Sequence, residues 1–178
     1  MAEEEGRTRR VVLYGNPVLR RRAREVTTLG PDVRRLLADL RATVIERDGL
    51  GLAANQIGEA VSVFVIDPRG ADVDQPPYCI INPRVVAVEG SIEREEGCLS
   101  IPEIFEHVAR PELVRITGLD EAGRQVEVQA TGLLARAFMH ETDHLSGRLF
   151  IDHLGKARRS LLSSRLREIQ AREAAACA

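Results

Sequence analysis

The sequence predicts an α+β fold in which antiparallel β-sheets pack around one central helix, with an N-terminal and a C-terminal helix outside them. Apolar residues recur at helical spacing in three separate stretches. Short runs rich in β-branched residues, bounded by turn residues, lie between the first two of these stretches. The chain has 178 residues with no internal repeat and no linker, so we expect a single domain over 1–178.

Composition narrows the class of protein. Hydrophobic residues make up 44% of the chain and charged residues 29%, which is typical of a globular protein. The net charge of -2 gives no reason to expect a DNA partner. No apolar run approaches the roughly 20 residues of a membrane span. The acidic start at residues 1–5 lacks the apolar region of a secretory signal, and three cysteines do not form a disulfide framework. We therefore expect a cytoplasmic protein without a membrane partner.

The first half of the chain contains one helix and three strands. The helix begins at Pro31 and ends at Asp48 and Gly49, because apolar residues recur there every three to four positions. Residues 61–66 are rich in β-branched side chains and predict a strand. Residues 78–83 and 84–89 predict two further strands, with a break at Pro83 because proline cannot donate a hydrogen bond to a neighbouring strand.

The second half contains a hairpin and two helices. Residues 113–119 and 125–130 predict strands joined by a turn at residues 120–123. A helix then runs through residues 133–144, and Gly147 is well placed as its left-handed cap. A final helix is expected over residues 156–175. Its predicted apolar stripe consists of Leu161, Leu162, Leu166 and Ile169. Its polar face is basic, with Arg158, Arg159, Arg165, Arg167 and Arg172.

The most informative motif is the stretch from His140 to His144, which reads HETDH and matches the pattern H-E-x-x-H. On a helix the two histidines lie on one face about one turn apart, where they can bind a single metal ion. Glu141, beside the first histidine, can then serve as a general base. A catalytic site of this kind has three protein ligands and one open position, so a third ligand is needed.

Two other stretches carry candidate site residues. Residues 49–58 are rich in glycine and other small residues but lack the Lys-Ser/Thr of a phosphate-binding loop. Gln56, with Asn55 as second choice, is the side chain there that can donate a hydrogen bond into a dry pocket. In residues 95–102, Cys98 lies between Gly97 and a short segment that ends at Pro102. It is the best candidate for the third ligand. Cys79, inside an apolar run, is expected to be a core residue.

Other metallohydrolase classes fit less well. The extended protease pattern H-E-x-x-H-x-x-G-x-x-H would need a histidine where this chain has Phe150. Glu168, the candidate for a His/His/Glu site, lies on the final amphipathic helix, where a solvated carboxylate is the simpler interpretation. His107 and His153 are interpreted as surface or capping residues. A peptidase that cleaves internal bonds and a binding module without turnover remain as alternatives.

Residues 49–58, 96–102 and 140–147, in this order, resemble the three signature motifs of the peptide deformylase family. That family removes the N-formyl group from the initiator methionine of new bacterial proteins. The resemblance covers nearly the whole chain. One departure is Met139, because the family usually has Gln immediately before the first metal-binding histidine. We expect this change to alter the hydrogen bonds around the site without abolishing it.

The resemblance implies a metal site and a mechanism. Cys98, His140 and His144 would bind one divalent metal, typically Fe(2+) in this family, with Zn(2+), Ni(2+) or Co(2+) as substitutes. Glu141 would accept a proton from the attacking water and pass it to the leaving amine. The side-chain amide of Gln56 and the backbone N–H of Leu99 would stabilise the developing oxyanion.

The resemblance also implies a substrate, the nascent N-formylmethionyl polypeptide. Leu50, Leu133 and Ala137 are the candidates for an apolar pocket around the methionine side chain, and the backbone of Gly49 and Gly51 is available to pair with an extended peptide. We expect one half of the site to come from the motif helix and the other half from two loops. Because the substrate arrives at the ribosome, the arginines of the final helix motivate a hypothesis that this helix binds ribosomal RNA. A solvated basic face is the equally weighted alternative.

Overall fold

The computed structural model of the protein describes residues 6–177, and the acidic start at residues 1–5 lies outside them. The predicted α+β class is confirmed, because the described residues form two antiparallel sheets and four α-helices. The helices are α1 Pro31–Glu46, α2 Gly132–Leu145, α3 Lys156–Leu161 and α4 Ser163–Ala176. The strands are β1 Gly51–Ala53, β2 Val63–Ile66, β3 Tyr78–Glu89, β4 Ile92–Cys98, β5 Ile101–Arg110, β6 Leu113–Leu119 and β7 Gln125–Thr131. One sheet has the order β1-β2-β3-β6-β7, and β4 and β5 form the other.

Strand β2 is covered by a helix on each face. Its four residues are all buried, and successive side chains point to opposite faces of the sheet. Val63 and Val65 belong to the apolar cluster that contains the buried face of α1. Phe64 and Ile66 belong to the cluster that contains α2, where the rings of Phe64 and Phe138 meet edge to face at 5.9 Å. The five-stranded sheet is therefore enclosed between α1 and α2 at its β2 position.

The β4–β5 hairpin has an apolar cluster of its own. Ile101, Ile104 and Val108 of β5 pack against α4 and against the short 3-10 helix Phe150–His153. Leu166 and Ile169 are the α4 members of this cluster. An isolated two-stranded hairpin is only marginally stable in water, so its position depends on this packing. The cluster therefore ties the C-terminal helix to the strands that lead to Cys98.

Two predicted elements need correction. The break at Pro83 is wrong, because β3 runs unbroken from Tyr78 to Glu89. The register with β6 shifts between Ile81 and Arg84, and Asn82 adopts a left-handed φ of 51°. A bulge of this kind accommodates a proline that cannot contribute to the ladder of hydrogen bonds.

The predicted final helix is in fact two helices that meet at Leu162. Leu162 is buried, whereas the side chain of Leu161 is 82% exposed, so the predicted apolar stripe is wrong for Leu161. The apolar stripe therefore begins at Leu162, and Leu166 and Ile169 continue it along α4.

The predicted helix α1 and the predicted β6–β7 hairpin are confirmed. The β4–β5 hairpin was not predicted from the sequence. Within residues 6–177 no helix is both long enough and apolar enough to cross a membrane.

Candidate metal centre

Helix α2 places two histidines beside each other in the interior of the protein. No proline interrupts the helix before His140 and His144, so the two residues are one turn apart. Their ring centroids are 4.9 Å apart, and both side chains are buried. Gly147 follows the helix with a φ of 73°, which confirms the left-handed conformation predicted for it.

Cys98 comes from the end of a strand and not from a loop, which corrects the predicted origin of this residue. It is the last residue of β4, and the register with β5 shifts between Gly97 and Cys98. Its Sγ lies 3.2 Å from Nε2 of His144. The candidate ligand atoms of Cys98, His140 and His144 all lie within 4.8 Å of one another. One thiol and two imidazoles form a donor set that suits both zinc and iron.

The two imidazoles are in different electrostatic environments. Burial lowers the pKa of His140, but the Cys98 sulfur and the Glu96 carboxylate outweigh burial and raise this pKa well above its ordinary value. Burial, and then the charge of His140, lower the pKa of His144 well below its ordinary value. The neutral ring of His144 is the form of histidine that binds metals. The anions that favour a proton on His140 also favour a metal cation at the same place.

Glu141 lies beside this donor set with its carboxylate buried. Its Oε2 has no hydrogen-bond partner within the part of the chain that the structure describes. Burial raises the pKa of Glu141 to about 7, because desolvation disfavours the charged form; the charge of His140 opposes this shift and that of Glu96 adds to it. The carboxylate fits only because residue 51 is glycine, since a Cβ there would lie 2.6 Å from Glu141 Oε1.

Gln56 and Leu99 approach the same donor set from two further elements. The loop predicted for Gln56 is wrong, because this residue is part of the 3-10 helix Ala54–Ile57. Its Oε1 accepts a hydrogen bond of 2.9 Å from the backbone N–H of Ala53. This bond leaves Nε2 to donate toward the centre, to Cys98 Sγ at 3.5 Å and to Ser100 Oγ at 3.3 Å. Leu99 follows Cys98 in the turn between β4 and β5.

A cavity of about 510 Å³ opens onto the centre. Every site residue predicted from the sequence lines this cavity, except His144, which lies deeper. Those residues are Gly49, Leu50, Gly51, Gln56, Cys98, Leu99, Leu133, Ala137, His140 and Glu141. Leu133 is 47% exposed, so its side chain is accessible from the cavity entrance. Met139 does not line the cavity; it packs against the apolar cluster behind α2.

The sequence analysis missed the buried charged residues around the histidines. Glu96 is the centre of this cluster: its Oε1 is 2.7 Å from Nδ1 of His140, and it also accepts hydrogen bonds from Arg110 and Arg136. Burial raises the pKa of Glu96, but the bonds from His140 and Arg110 outweigh burial and hold it below its ordinary value. One sequence signal was present, since Arg136 is the single charged residue in the apolar run that leads into the motif.

An α+β fold that gathers a thiol, two imidazoles and a buried glutamate at the floor of a cavity defines a metal-dependent hydrolase. Residues 8–160 match the family model described as polypeptide deformylase. The chain belongs to the polypeptide deformylase family. It is therefore a hydrolase of protein synthesis that removes the N-terminal formyl group from newly made polypeptides.

Curated relatives and solved structures agree with this assignment. The peptide deformylase of Syntrophobacter fumaroxidans is 42% identical over 151 residues, which cover 85% of this chain and 89% of the relative. Peptide deformylase 2 of Streptomyces coelicolor is 43% identical over 159 residues, or 88% of this chain and 89% of the relative. The crystal structure of a peptide deformylase from Legionella pneumophila superposes with a TM-score of 0.86 at 35% identity, covering 94% of this chain and 98% of that one. The peptide deformylase from Thermus thermophilus gives a TM-score of 0.85 at 38% identity, covering 93% of this chain and 99% of that one.

Proposed function

We propose that Cys98, His140 and His144 hold one divalent metal ion at which the formyl amide is hydrolysed. The observation that carries this proposal is the convergence of three donor atoms within 4.8 Å beside the buried carboxylate of Glu141. The donors fit a metal chemically. Burial lowers the pKa of His144, which favours its neutral, metal-binding ring, and Nδ1 of His140 is held by Glu96. A buried cluster of titratable groups is costly unless the groups are paired or bound to a metal.

The metal we propose for the cell is Fe(2+), by the resemblance of the motifs to those of the family. A thiolate and two imidazoles suit Fe(2+) and Zn(2+) alike, so the donor set does not select between them. Zn(2+), Ni(2+) or Co(2+) are the substitutes expected in a purified sample.

In the proposed mechanism, Glu141 moves a proton between water and the leaving amine. A metal ion held by Cys98, His140 and His144 would supply Lewis acidity, which would lower the pKa of water toward about 7. Glu141 accepts a proton from the attacking water while the water oxygen bonds to the formyl carbon. The C–N bond then breaks and Glu141 returns the proton to the amine nitrogen. The products are formic acid and a peptide with a free amino terminus.

We propose that Gln56 Nε2 and the backbone N–H of Leu99 donate hydrogen bonds to the oxygen that becomes negative during attack. The bond from the Ala53 backbone to Oε1 supports this role, because it fixes the amide of Gln56 with its donor end toward Cys98. Donors held in place before the reaction stabilise developing charge effectively, and removing one typically costs about 10²–10³ in rate.

The substrate is proposed to bind as an extended peptide along β1. The sheet order places β1 at an edge, where it pairs with β2 on one side. We propose that its other edge pairs with a peptide strand through the backbone of Gly51 and the carbonyl of Gly49, a common mode of peptide recognition. The N–H of Gly49 is not part of this pairing, because it donates to the Val44 carbonyl at 2.9 Å. The methionine side chain then enters the part of the cavity lined by Leu50, Leu133 and Ala137.

The direct test is to incubate the metal-loaded protein with a formyl-methionyl peptide and to measure formate and the peptide masses. We expect formate and a peptide lighter by one formyl group, with no internal cleavage. The same peptide bearing an acetyl group in place of the formyl group is the control. It should react far more slowly, because a methyl group then takes the place of the formyl hydrogen on the carbon that water attacks. Internal fragments without formate would instead establish a peptidase.

Three broader features are part of the same proposal. We propose that the motif helix α2 is the central element of the fold; its contacts with β1, β2, β6 and β7 support this. We propose one catalytic domain over residues 1–178, supported by the match of the family model to residues 8–160. We also propose that the protein acts in the cytoplasm, where nascent formylated chains are made.

We propose that the basic face of α3 and α4 contacts ribosomal RNA. Exposed arginines support this, although Arg158 pairs with Glu106 at 3.1 Å and Arg159 pairs with Asp152 at 3.1 Å. Co-sedimentation with ribosomes tests the idea. Arg167→Glu should weaken binding and make the remaining binding less sensitive to added salt, because fewer counterions are released. Arg34→Glu, the same change on α1, should do neither. Equal binding by both variants and the wild type would leave a solvated face as the explanation.

A further inference from the structure

Arg136 is a buried cation that lines the cavity proposed for the apolar methionine side chain of the substrate. It lies on α2 four residues before His140, lines the cavity, and is only 4% exposed. Burying a guanidinium is costly unless each of its hydrogen bonds is satisfied. Its bonds join it to Glu96, which lines the same cavity, and to two backbone carbonyls. Nη1 donates to Glu96 Oε2 at 2.7 Å and to the Val108 carbonyl at 3.0 Å, and Nη2 donates to the Ile92 carbonyl at 3.0 Å.

The neighbouring Arg110 divides its hydrogen bonds between Glu96 and a second buried carboxylate, Asp143. Its Nε and Nη2 donate to Glu96 at 3.0 and 2.6 Å, and its Nη1 donates to Asp143 Oδ2 at 2.6 Å. Two buried carboxylates therefore share Arg110. With Arg136 included, two guanidinium groups balance Glu96 and Asp143. Arg136 adds a second donor to Oε2, the Glu96 oxygen that does not face His140, so this end of the carboxylate is held from both arginines.

We propose that Arg136 is a positioning residue, which holds the Glu96 carboxylate against Nδ1 of His140 and thereby keeps the imidazole turned toward the metal. The inference rests on the proposed function, because it assigns a role toward the metal that Cys98, His140 and His144 would hold. Partners of this kind set the orientation and basicity of a ligating histidine, and their loss typically costs about 10–100-fold in metal affinity or activity.

The arginine fork is suited to this role in a way that lysine is not. Arg136 contacts one carboxylate and two backbone carbonyls on β4 and β5 at the same time. A lysine would preserve the charge but offers a single nitrogen on a flexible stem, so it cannot span all three acceptors. Arg136→Lys therefore separates the charge from the geometry, and Arg136→Met removes both while preserving much of the side-chain volume.

The test measures metal retention and spectra in Co(2+)-loaded protein. Chelator-driven release of Co(2+) should be about 10–100-fold faster in Arg136→Met than in the wild type, and intermediate in Arg136→Lys. The visible ligand-field bands of Co(2+) should shift in both variants. Arg148→Met removes an exposed arginine beyond the same helix, and its release rate and spectrum should match the wild type. Thermal melting confirms that each variant is folded at the assay temperature.

Kinetics separate this role from that of a simple pocket wall. If Arg136 positions Glu96, kcat should fall while KM for a formyl-methionyl peptide changes little. A rise in KM at constant kcat, with wild-type release of Co(2+), would overturn the proposal and leave Arg136 as part of the pocket wall. A second check combines Arg136→Met with Glu96→Gln. The effects of the two changes on Co(2+) release should be far from additive, because one residue acts through the other; additive effects would also overturn the proposal.

Failure of the metal site itself would look different. The wild type must bind one Co(2+) and show a thiolate-to-metal absorption band that Cys98→Ala abolishes. Absence of that band in the wild type would contradict the proposed ligands, and with them the role of Arg136. A normal band in the wild type, together with wild-type Co(2+) release in Arg136→Met, would contradict the role of Arg136 and leave the proposed ligands intact.

Discussion

The carboxylate of Glu141 has room beside the candidate metal centre because residue 51 has no side chain. Gly51 lies in β1, and a Cβ there would come within 2.6 Å of Glu141 Oε1 and 2.8 Å of the Ile66 side chain. Neither neighbour can move freely, since Ile66 is fully buried in the sheet and Glu141 is held on α2. The position of the general base is therefore set from the sheet as well as from its own helix.

Gly51→Ala should lower formate release by about 10²-fold, because a displacement of roughly 1 Å at a catalytic group can cost that much. The backbone of residue 51 is extended, so alanine adds no backbone strain; its contact with the Ile66 side chain should lower the melting temperature without unfolding the protein. Steady-state kinetics and a melting curve check both expectations. Gly155→Ala is the matched control, because a Cβ at residue 155 meets no atom within 4 Å. Wild-type kinetics in Gly51→Ala would show that the Glu141 carboxylate can shift without loss of activity.

Glu141→Gln should abolish proton transfer while it leaves the metal in place. The amide is nearly isosteric with the carboxylate but cannot accept the proton, and general-base catalysis typically contributes about 10²–10⁴ in rate. Formate release should fall by that factor, whereas elemental analysis should show one metal per chain as in the wild type. Substantial remaining turnover would exclude Glu141 as the base.

Among the elements, those with local signals were predictable. Helix α1 has regular apolar spacing and the β6–β7 hairpin has a turn with Asp120 and Gly123, so both follow from nearby residues. The β4–β5 hairpin gives no such signal, because β4 is mostly charged and its turn at Leu99 and Ser100 contains no glycine. Its stability comes from contacts far away in the chain.

The residues of the candidate site also fall into those that could be predicted from local sequence and those that could not. The chemical identity of Cys98, His140 and Glu141 is visible in the motifs. The hydrogen bond that orients His140 is not visible, because Glu96 lies 44 residues away. Burial of Arg110 and Arg136 depends on the same tertiary contacts. Composition alone assigns charged residues to the surface, so only the folded structure shows that these two arginines are internal.

Helix α4 is anchored to the start of the chain by Glu173, which is 2% exposed. Its Oε1 accepts from Asn16 Nδ2 at 2.7 Å, its Oε2 accepts from the Leu13 backbone at 2.9 Å, and it pairs with Arg10. Glu173→Gln should lower the free energy of unfolding by about 1–3 kcal/mol, the usual cost of leaving buried groups without a partner. Urea denaturation measures the change. Glu168→Gln, an exposed site on the same helix, should have almost no effect.

The same anchor should weaken in acid. Burial raises the pKa of Glu173, but the bonds from Asn16 and Leu13 outweigh burial and lower this pKa from 4.5. A carboxylate with a depressed pKa in the folded state contributes stability above its unfolded pKa and loses it as the pH falls through the folded pKa. The stability difference between the wild type and Glu173→Gln should thus be constant above about pH 5 and shrink below about pH 4.5. A difference that does not vary with pH would show that the carboxylate charge plays no part in the anchor.

At the scale of the whole molecule, the candidate centre lies between the two sheets, and its three proposed ligands come from both sides of that boundary. Cys98 comes from the two-stranded β4–β5 sheet, and His140 and His144 come from α2, which packs on the five-stranded sheet. The Glu96 and Arg110 bonds cross the same boundary. A metal held by all three ligands is therefore expected to act as a cross-link between the two sheets, and its binding free energy adds to the free energy of unfolding.

Removing the metal should consequently lower the melting temperature of the wild type. At a free metal concentration 100 to 1,000 times Kd, binding contributes about 2.7–4.1 kcal/mol. For a chain of this length each kcal/mol corresponds to about 2–4 °C, so chelation should lower Tm by roughly 5–16 °C. Cys98→Ala should melt at the same temperature with and without chelator, because the cross-link needs the thiolate. Cys177→Ala, which removes an exposed thiol, should keep the full shift. A chelator-dependent shift in Cys98→Ala as large as that of the wild type would mean that the two sheets are not linked through Cys98, since the ion would then be held on α2 alone.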